Sequence, residues 1–220
     1  MPDWLQRTLG FVLAVLSAPL LGALALVIRL DNPGGSLYVA QRMGEKGRPF
    51  GLMKLRTMRQ GAAASGPGIS VARDPRVTRV GRLLRGTRLD ELPQLWNVVR
   101  GEMRLVGPRP EDPRFVDMGD SLHRLVFQAR PGITGIAQLL HTDEAASLDS
   151  MDPETSYRTQ VQPAKVAIDA AYLRRRSVGL DAWILARTAL AVARRPPSAE
   201  DVEARLRMEL PRRLRNGRRA

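Results

Sequence analysis

Charged residues are absent from Gly10 to Ile28, a run reading GFVLAVLSAPLLGALALVI that is bounded by Arg7 and Arg29. As one helix it would be about 28 Å long at 1.5 Å per residue, close to the hydrocarbon thickness of a bilayer. Three readings of it compete. A cleaved signal peptide is disfavoured, because the run passes straight into Leu30 and Asp31 with no small-residue cleavage pattern. A single spanning helix would leave the arginine-rich remainder in the cytoplasm. A re-entrant hairpin would break at Pro19, which removes one backbone donor and crowds the Val15 carbonyl, while the Ser17 hydroxyl can satisfy a freed backbone group. The pattern alone leaves the last two open.

Beyond the turn DNPGG (31–35), SLYVAQRMG and PFGLMKLRTM read as strands around the polar turn EKGR. The Gly, Ala and Ser cluster at 61–70 reads as a surface loop. PRVTRVGRLLRGTRLDELPQLWNVVRG predicts two short helices that part near Gly86 and Thr87, with Gly101 stopping the second. EMRLVGPRPEDP carries three prolines and Gly107, so it is expected to be irregular. Residues 113–129 and 157–176 look helical, joined by RPGITGIAQLL and an acidic loop. Residues 179–193 form a mostly apolar helix, suited either to core packing or to a membrane surface with Trp183 at the interface. The fold class expected is α+β and mostly helical, with a short β element and no internal repeat.

Composition narrows the partners. At 44% hydrophobic the chain can bury a core, and its formal charge of +13 seeks anions: nucleic acid, an anionic membrane surface or a phosphorylated substrate. Lysine occurs only at 46, 54 and 165, so nearly all the positive charge is arginine, whose planar fork suits phosphate. With no cysteine, and only His123 and His141, thiol chemistry and sulfur- or imidazole-based metal sites are excluded or improbable.

The candidate chemistry concentrates in TRLDELPQLWNVVRGEMRLVGPRPE, residues 87–111. Pro93 is comfortable only in the first turn of a helix, which sets Asp90 and Glu91 at that helix's start. Thr87 and Asp90 have the spacing of a capping box, and acids suit helix starts in any protein. Functionally, one carboxylate could attack phosphorus or bind Mg²⁺ and the other accept a proton. Gly107 and the prolines flanking Arg109 stiffen a turn that can aim its guanidinium. Lys54 and Arg56 would share one strand face, and Arg130 precedes the rigid turn PGITG. Together these residues suit a diphosphate, although neither a P-loop nor a G-x-G-x-x-G is present.

These motifs resemble the bacterial sugar transferases, the monotopic polyprenyl-phosphate phosphoglycosyltransferases in their minimal single-domain form. The likeness runs from about residue 10 to 190. It rests on the proline-centred apolar run, QRMGEKGRPFGLMKLRTM, DPRVTRVGRLLRGTRLDELPQLWNVVRGEMRLVGPRP, RPGITGIAQ, and the series Asp169, Tyr172, Ser177, Asp181 and Thr188. The chain departs from the family pattern at Gly35, at Arg88, where serine is common, and at Gly86, where a basic residue is frequent.

The resemblance implies an enzyme of two steps. Asp90 attacks the sugar-linked phosphorus of a UDP-sugar and expels UMP; a membrane polyprenyl phosphate, such as undecaprenyl phosphate, then takes the phosphosugar. Glu91 helps deprotonate the lipid phosphate, and Mg²⁺ on Asp90 offsets the diphosphate charge. Lys54 and Arg109 correspond to phosphate-site positions, with Arg56, Arg85 and Arg130 as further contributors. It also implies a re-entrant helix-break-helix at residues 1–30 with its apex at Ser17 and Pro19. A cytoplasmic catalytic domain at 31–193, interfacial amphipathic helices and a basic tail at 194–220 would follow, at the bacterial inner membrane.

The expected partners are the UDP-sugar, the polyprenyl phosphate and phospholipid, with homo-oligomers left open and nucleic acid not expected. Two alternatives of another class remain. One is an inactive scaffold; the other is a membrane-anchored nucleic-acid-binding protein, suggested by the charge and by the helix-turn-helix-like stretch 78–99. Against the second, Asp90 and Glu91 would repel a phosphate backbone.

Overall fold

The computed structural model describes residues 1–62, 69–70, 74–140, 148, 152–192 and 197–207. The chain begins with α1, Asp3–Asp31, whose 29 residues would extend about 43 Å if straight. Its first and last turns carry Asp3 and Arg29, the signs that complement a helix dipole. The sequence suggests a break at Pro19; instead the helix runs through it. The Ser17 hydroxyl donates to the Ala14 carbonyl at 3.1 Å, not to the Val15 carbonyl that Pro19 leaves unpaired. One missing bond within so long an apolar ladder does not end the helix.

Both ends of α1 rest on the rest of the protein. Near the start, Gly10 and Ala14 lie one turn apart, and a Cβ on Gly10 would fall 2.8 Å from Val98 Cγ1. Small residues there let α1 seat closely on the helix that carries Val98. Buried Gln6 accepts hydrogen bonds through Oε1 from the backbone amides of Leu105 and Val106. At the other end, Ile28 is buried with Leu55 and Leu84. Between these anchors Phe11, Val12, Leu13, Val15, Leu16 and Leu20 are exposed.

Strands β1 (Leu37–Met43) and β2 (Pro49–Leu55) form an antiparallel hairpin that pairs Tyr38 with Lys54. Helix α2 (Arg79–Thr87) is capped by the Thr78 hydroxyl, which accepts from the Gly81 amide. A single 3₁₀ turn, Leu89–Glu91, separates it from α3 (Gln94–Arg100), which Gly101 terminates in the left-handed region. Thr87 is no cap for α3. It closes α2, and its hydroxyl donates backwards to the Leu83 and Leu84 carbonyls. With Leu95, Asn97 and Val98 buried, α3 lies inside the fold and does not project as a nucleic-acid recognition helix would.

The segment expected to be irregular contains β3, Arg104–Val106, paired in parallel with β4, Gly132–Thr134. The approach is close enough that a Cβ on Gly132 would fall 2.1 Å from the Gly107 amide nitrogen. The Gly107 amide donates to the Thr134 carbonyl at 2.9 Å, and the Gly132 amide to the Pro108 carbonyl at 2.8 Å. The two stiff sequence motifs, GPRP and PGITG, are thus laced to one another.

Helices α4 (Ser121–Gln128), α5 (Ile136–Leu140), α6 (Pro153–Ser156) and α7 (Gln162–Arg175) follow, a wide π-type turn at Tyr157–Val161 joining the last two. Most of the loop 61–70, and residues 141–151 of the acidic loop apart from 148, fall outside the described residues. Helix α8 (Val178–Val192) buries Leu180 and Ile184 in the main core, and Trp183 lies under the guanidiniums of Arg187 and Arg205. The tail is not wholly solvated as far as it is described. Its helix α9 (Ala199–Leu206) opens on a Ser198–Asp201 capping box and buries Val202 and Leu206 in the same core. The 3.6-residue spacing of those two apolar side chains outweighs the surrounding charge.

Candidate active site

The backbone between α2 and α3 has room for one tight turn only. Arg88 adopts φ 60 and ψ 14, a left-handed conformation that ends α2 and starts the turn carrying Asp90 and Glu91. Pro93, at φ −61 and ψ −18, then fixes the entry to α3. Opposite stands β2, held by buried Asn97. Its Oδ1 accepts from the Met53 amide and its Nδ2 donates to the Gly51 carbonyl and to Glu102. That clamp sets the height of Lys54 against the acid pair.

Glu91 Oε1 is shared by two cations, Lys54 Nζ at 3.4 Å and Arg109 Nη1 at 3.6 Å. Burial pushes the Glu91 carboxyl up, but Lys54, Arg109 and Arg88 together outweigh it and hold it at about 2. Asp90 behaves oppositely. Its burial pushes the carboxyl up, Lys54 pulls it back and the neighbouring Glu91 adds to the rise, leaving it above its ordinary value. Lys54 is itself driven down by burial, against the pull of Glu91. The two acids are not held alike: of the pair only Glu91 is pulled below its ordinary value. The surrounding cations do that work.

The convergence of cations is narrower than the sequence suggests. Arg85 belongs to it: its Nε donates to Thr57 Oγ1 at 2.8 Å and its Nη1 to Ser70 Oγ at 3.1 Å, and its charge acts on Asp90. Arg56 instead reaches the Leu37 carbonyl beside the 34–36 turn. Arg130 is held by Glu45 at 3.1 Å and Asp3 at 3.2 Å, tying β4 to the start of α1. Neither is among the main charges on the acid pair. Arg88, marked in the sequence only as a departure from a pattern, does act on Glu91. Asn97 was also missed, though a lone amide inside LWNVV is a visible oddity.

A divalent cation would find one open protein carboxylate here. No described residue hydrogen-bonds the Asp90 carboxyl, and its raised pKa marks a desolvated charge lacking a close partner. Among the described residues no three Asp, Glu or His side chains converge. Mg²⁺ commonly takes one or two carboxylates with phosphate oxygens and waters, so the site fits it only with a phosphate ligand present. The acid pair also abuts the membrane-length helix, because Leu55 and Leu89, the neighbours of Lys54 and Asp90, pack in the cluster of Ile28, Leu21 and Leu24.

The family model described as bacterial sugar transferase matches residues 2–195. Among curated proteins, a UDP-glucose:undecaprenyl-phosphate glucose-1-phosphate transferase of Caulobacter vibrioides is 46% identical over 146 residues, 62% of this chain and 54% of that protein. A UDP-N-acetylgalactosamine-undecaprenyl-phosphate N-acetylgalactosaminephosphotransferase of Aeromonas hydrophila is 37% identical over 194 residues, 84% of this chain and 43% of that one. The exopolysaccharide production protein ExoY of Sinorhizobium fredii is 32% identical over 206 residues, 85% of this chain and 84% of that one. The chain spans about half the length of the first two.

Proposed function

The chain belongs to the bacterial sugar transferase family, and on that premise we propose that it transfers a phosphosugar from a UDP-sugar to a membrane polyprenyl phosphate. The observation that carries this reading is the desolvated Asp90 carboxylate, without a close partner yet within the field of Lys54, Arg85 and Arg109, and set against the apolar cluster of α1. Phosphoryl transfer needs positioning and charge neutralisation above all, and this site offers both beside a lipid-facing element.

An Asp90 oxygen attacks the sugar-linked phosphorus, the bond from that phosphorus to the bridging oxygen breaks, and UMP leaves with the bridging oxygen. A phosphate oxygen of the lipid then attacks the same phosphorus, and the carboxylate departs unchanged. The raised pKa of Asp90 makes it the stronger nucleophile of the pair. Mg²⁺, bound by Asp90 and the diphosphate, would supply charge neutralisation on the transferring phosphoryl group.

Glu91, held at about 2 by its cations, is a poor base while they surround it. Donor phosphate drawing Lys54 and Arg109 towards itself would free Glu91 to accept the proton of the lipid phosphate. A panel of UDP-sugars with undecaprenyl phosphate and Mg²⁺, read by UMP release, tests the reading. Failure of every UDP-sugar to release UMP would overturn it.

The same reading favours an α1 that, although unbroken at Pro19, enters one leaflet with both ends on the same face. A helix crossing the bilayer once would carry one end away from the catalytic domain, whereas Gln6 and Ile28 are both buried against it. The domain then lies on the cytoplasmic side, where nucleotide sugars are available. The chain has no cysteine of its own, so Trp4→Cys and Asp31→Cys give clean reporters. Both single variants are expected to react with an impermeant maleimide from the cytoplasmic face of inverted vesicles. Labelling of the two from opposite faces would establish a span instead.

A further inference from the structure

Behind the Arg109 turn lies a buried polar group that the mechanism above does not use. Asp169, on α7, is almost fully buried, and its carboxyl lies close enough to the Arg109 backbone amide to be stabilised by it. Its Oδ1 has no hydrogen-bond partner. One turn earlier on α7, buried Lys165 donates to Tyr157 Oη at 2.8 Å, and Tyr157 donates to Glu111, two residues past Arg109. Lys165 Nζ lies 3.9 Å from the same Glu111 carboxylate. The turn 107–111 is therefore gripped from behind at residues 109 and 111, while Gly107 and Pro108 are laced to β4. Its outward side chain, Arg109, is the one that reaches Glu91.

We propose that Asp169 is a positioning residue for Arg109, a buried carboxyl that holds the amide of the Pro-Arg-Pro turn and so aims the guanidinium at the donor phosphates. The proposal rests on Arg109 binding donor phosphate. A buried carboxyl with one orphaned oxygen is costly for the fold, and a well-packed apolar residue would avoid that cost. Its retention has a physical use if the amide must be fixed. Two prolines make the turn stiff but leave its tilt free, and a hydrogen bond to its central amide removes that freedom.

The grip is also sensitive to proton concentration. Burial pushes the Asp169 carboxyl up to about 7, with Lys165 and the Arg109 amide opposing and Glu111 adding to the rise. The charged groups that act on it are thus Lys165 on its own helix and Arg109 and Glu111 on the turn. The amide favours the ionised carboxylate, so the grip tightens as pH rises through 7. A UDP-sugar carries no phosphate proton that titrates in this range but the acceptor's phosphate monoester does, so the step is read on the donor half-reaction without acceptor.

The test uses the full chain in nanodiscs with Mg²⁺ and a UDP-sugar that it turns over. Asp169→Leu is expected to raise KM for the donor about tenfold, as one lost hydrogen bond to a phosphate ligand's backbone would, and to lower kcat less. Asp169→Asn retains an acceptor for the amide and should stay within about threefold of wild type. Wild-type KM should fall as pH rises through 7, and the Asp169→Asn profile should be flat. Hydrogen exchange of the 105–112 segment should quicken in the leucine variant and not in the asparagine variant, a readout independent of turnover. If the leucine variant does not fold, Asp169→Ala replaces it, and exchange at 105–112 should quicken in that variant in the same way. Equal losses in both variants, a fall in kcat at constant KM, or a wild-type pH step retained in Asp169→Asn would overturn the proposal. Absence of UMP release from wild type would refute the proposed function while the exchange measurement still reported on the grip.

Discussion

Asp90→Asn is expected to lower UMP release by roughly four orders of magnitude or more, the scale on which removing a covalent nucleophile acts. It should also raise the thermal midpoint at neutral pH. The sign follows from linkage: the Asp90 carboxyl is shifted above its ordinary value in the folded chain, chiefly by burial. Its contribution to stability is therefore present below the unfolded pKa of 3.8 and is lost as pH rises through the folded value. At neutral pH an ionised Asp90 is a net cost that asparagine does not incur. The two melting curves should diverge above pH 4 and coincide below it. Incubation of wild type with donor alone should add the mass of one phosphosugar to the chain, and Asp90→Asn should add none. Near-normal turnover in that variant would remove Asp90 from the chemistry, whatever its stability.

The order of elements and the pairing of acids with cations were legible because they depend on local chemistry. Proline and glycine punctuate the helices around 87–101, and alternation marks the hairpin that carries Lys54. The lacing of GPRP to PGITG was not legible, since a three-residue parallel pair has no period of its own and each half reads as a stiff loop. The true partners of Arg130 and Arg56 were equally hidden. In a chain with so many arginines, only tertiary contact tells which guanidinium faces the acid pair and which braces Asp3 and Glu45. The Pro19 break is the opposite case, a strong local signal that the surrounding apolar helix overrides. Lys165 could have been noticed, as one of three lysines in an arginine chain. Its partners Tyr157 and Glu111 could not, because they come from segments far apart.

Glu91→Gln separates the duties of the two acids. Donor kcat/KM should fall roughly a hundredfold or more, since preorganised charge at the transferring phosphoryl is lost. Glu91 is the largest influence holding Lys54 protonated against burial. Without it the Lys54 pKa drops further, so the alkaline limb of donor binding should move to lower pH in the variant. A limb unmoved from wild type would mean that Lys54 does not bind the donor. Stability should change in the direction opposite to Asp90→Asn. The Glu91 carboxyl lies at about 2 in the folded chain against 4.5 unfolded, so its contribution is present above 4.5 and is lost as pH falls towards 2. Glutamine forfeits it, and the variant should melt lower than wild type at neutral pH. Adjacent carboxylates with opposite effects on stability would follow from their environments: the acid that the fold satisfies orders the cations, and in the proposed mechanism the acid that it leaves unsatisfied attacks phosphorus.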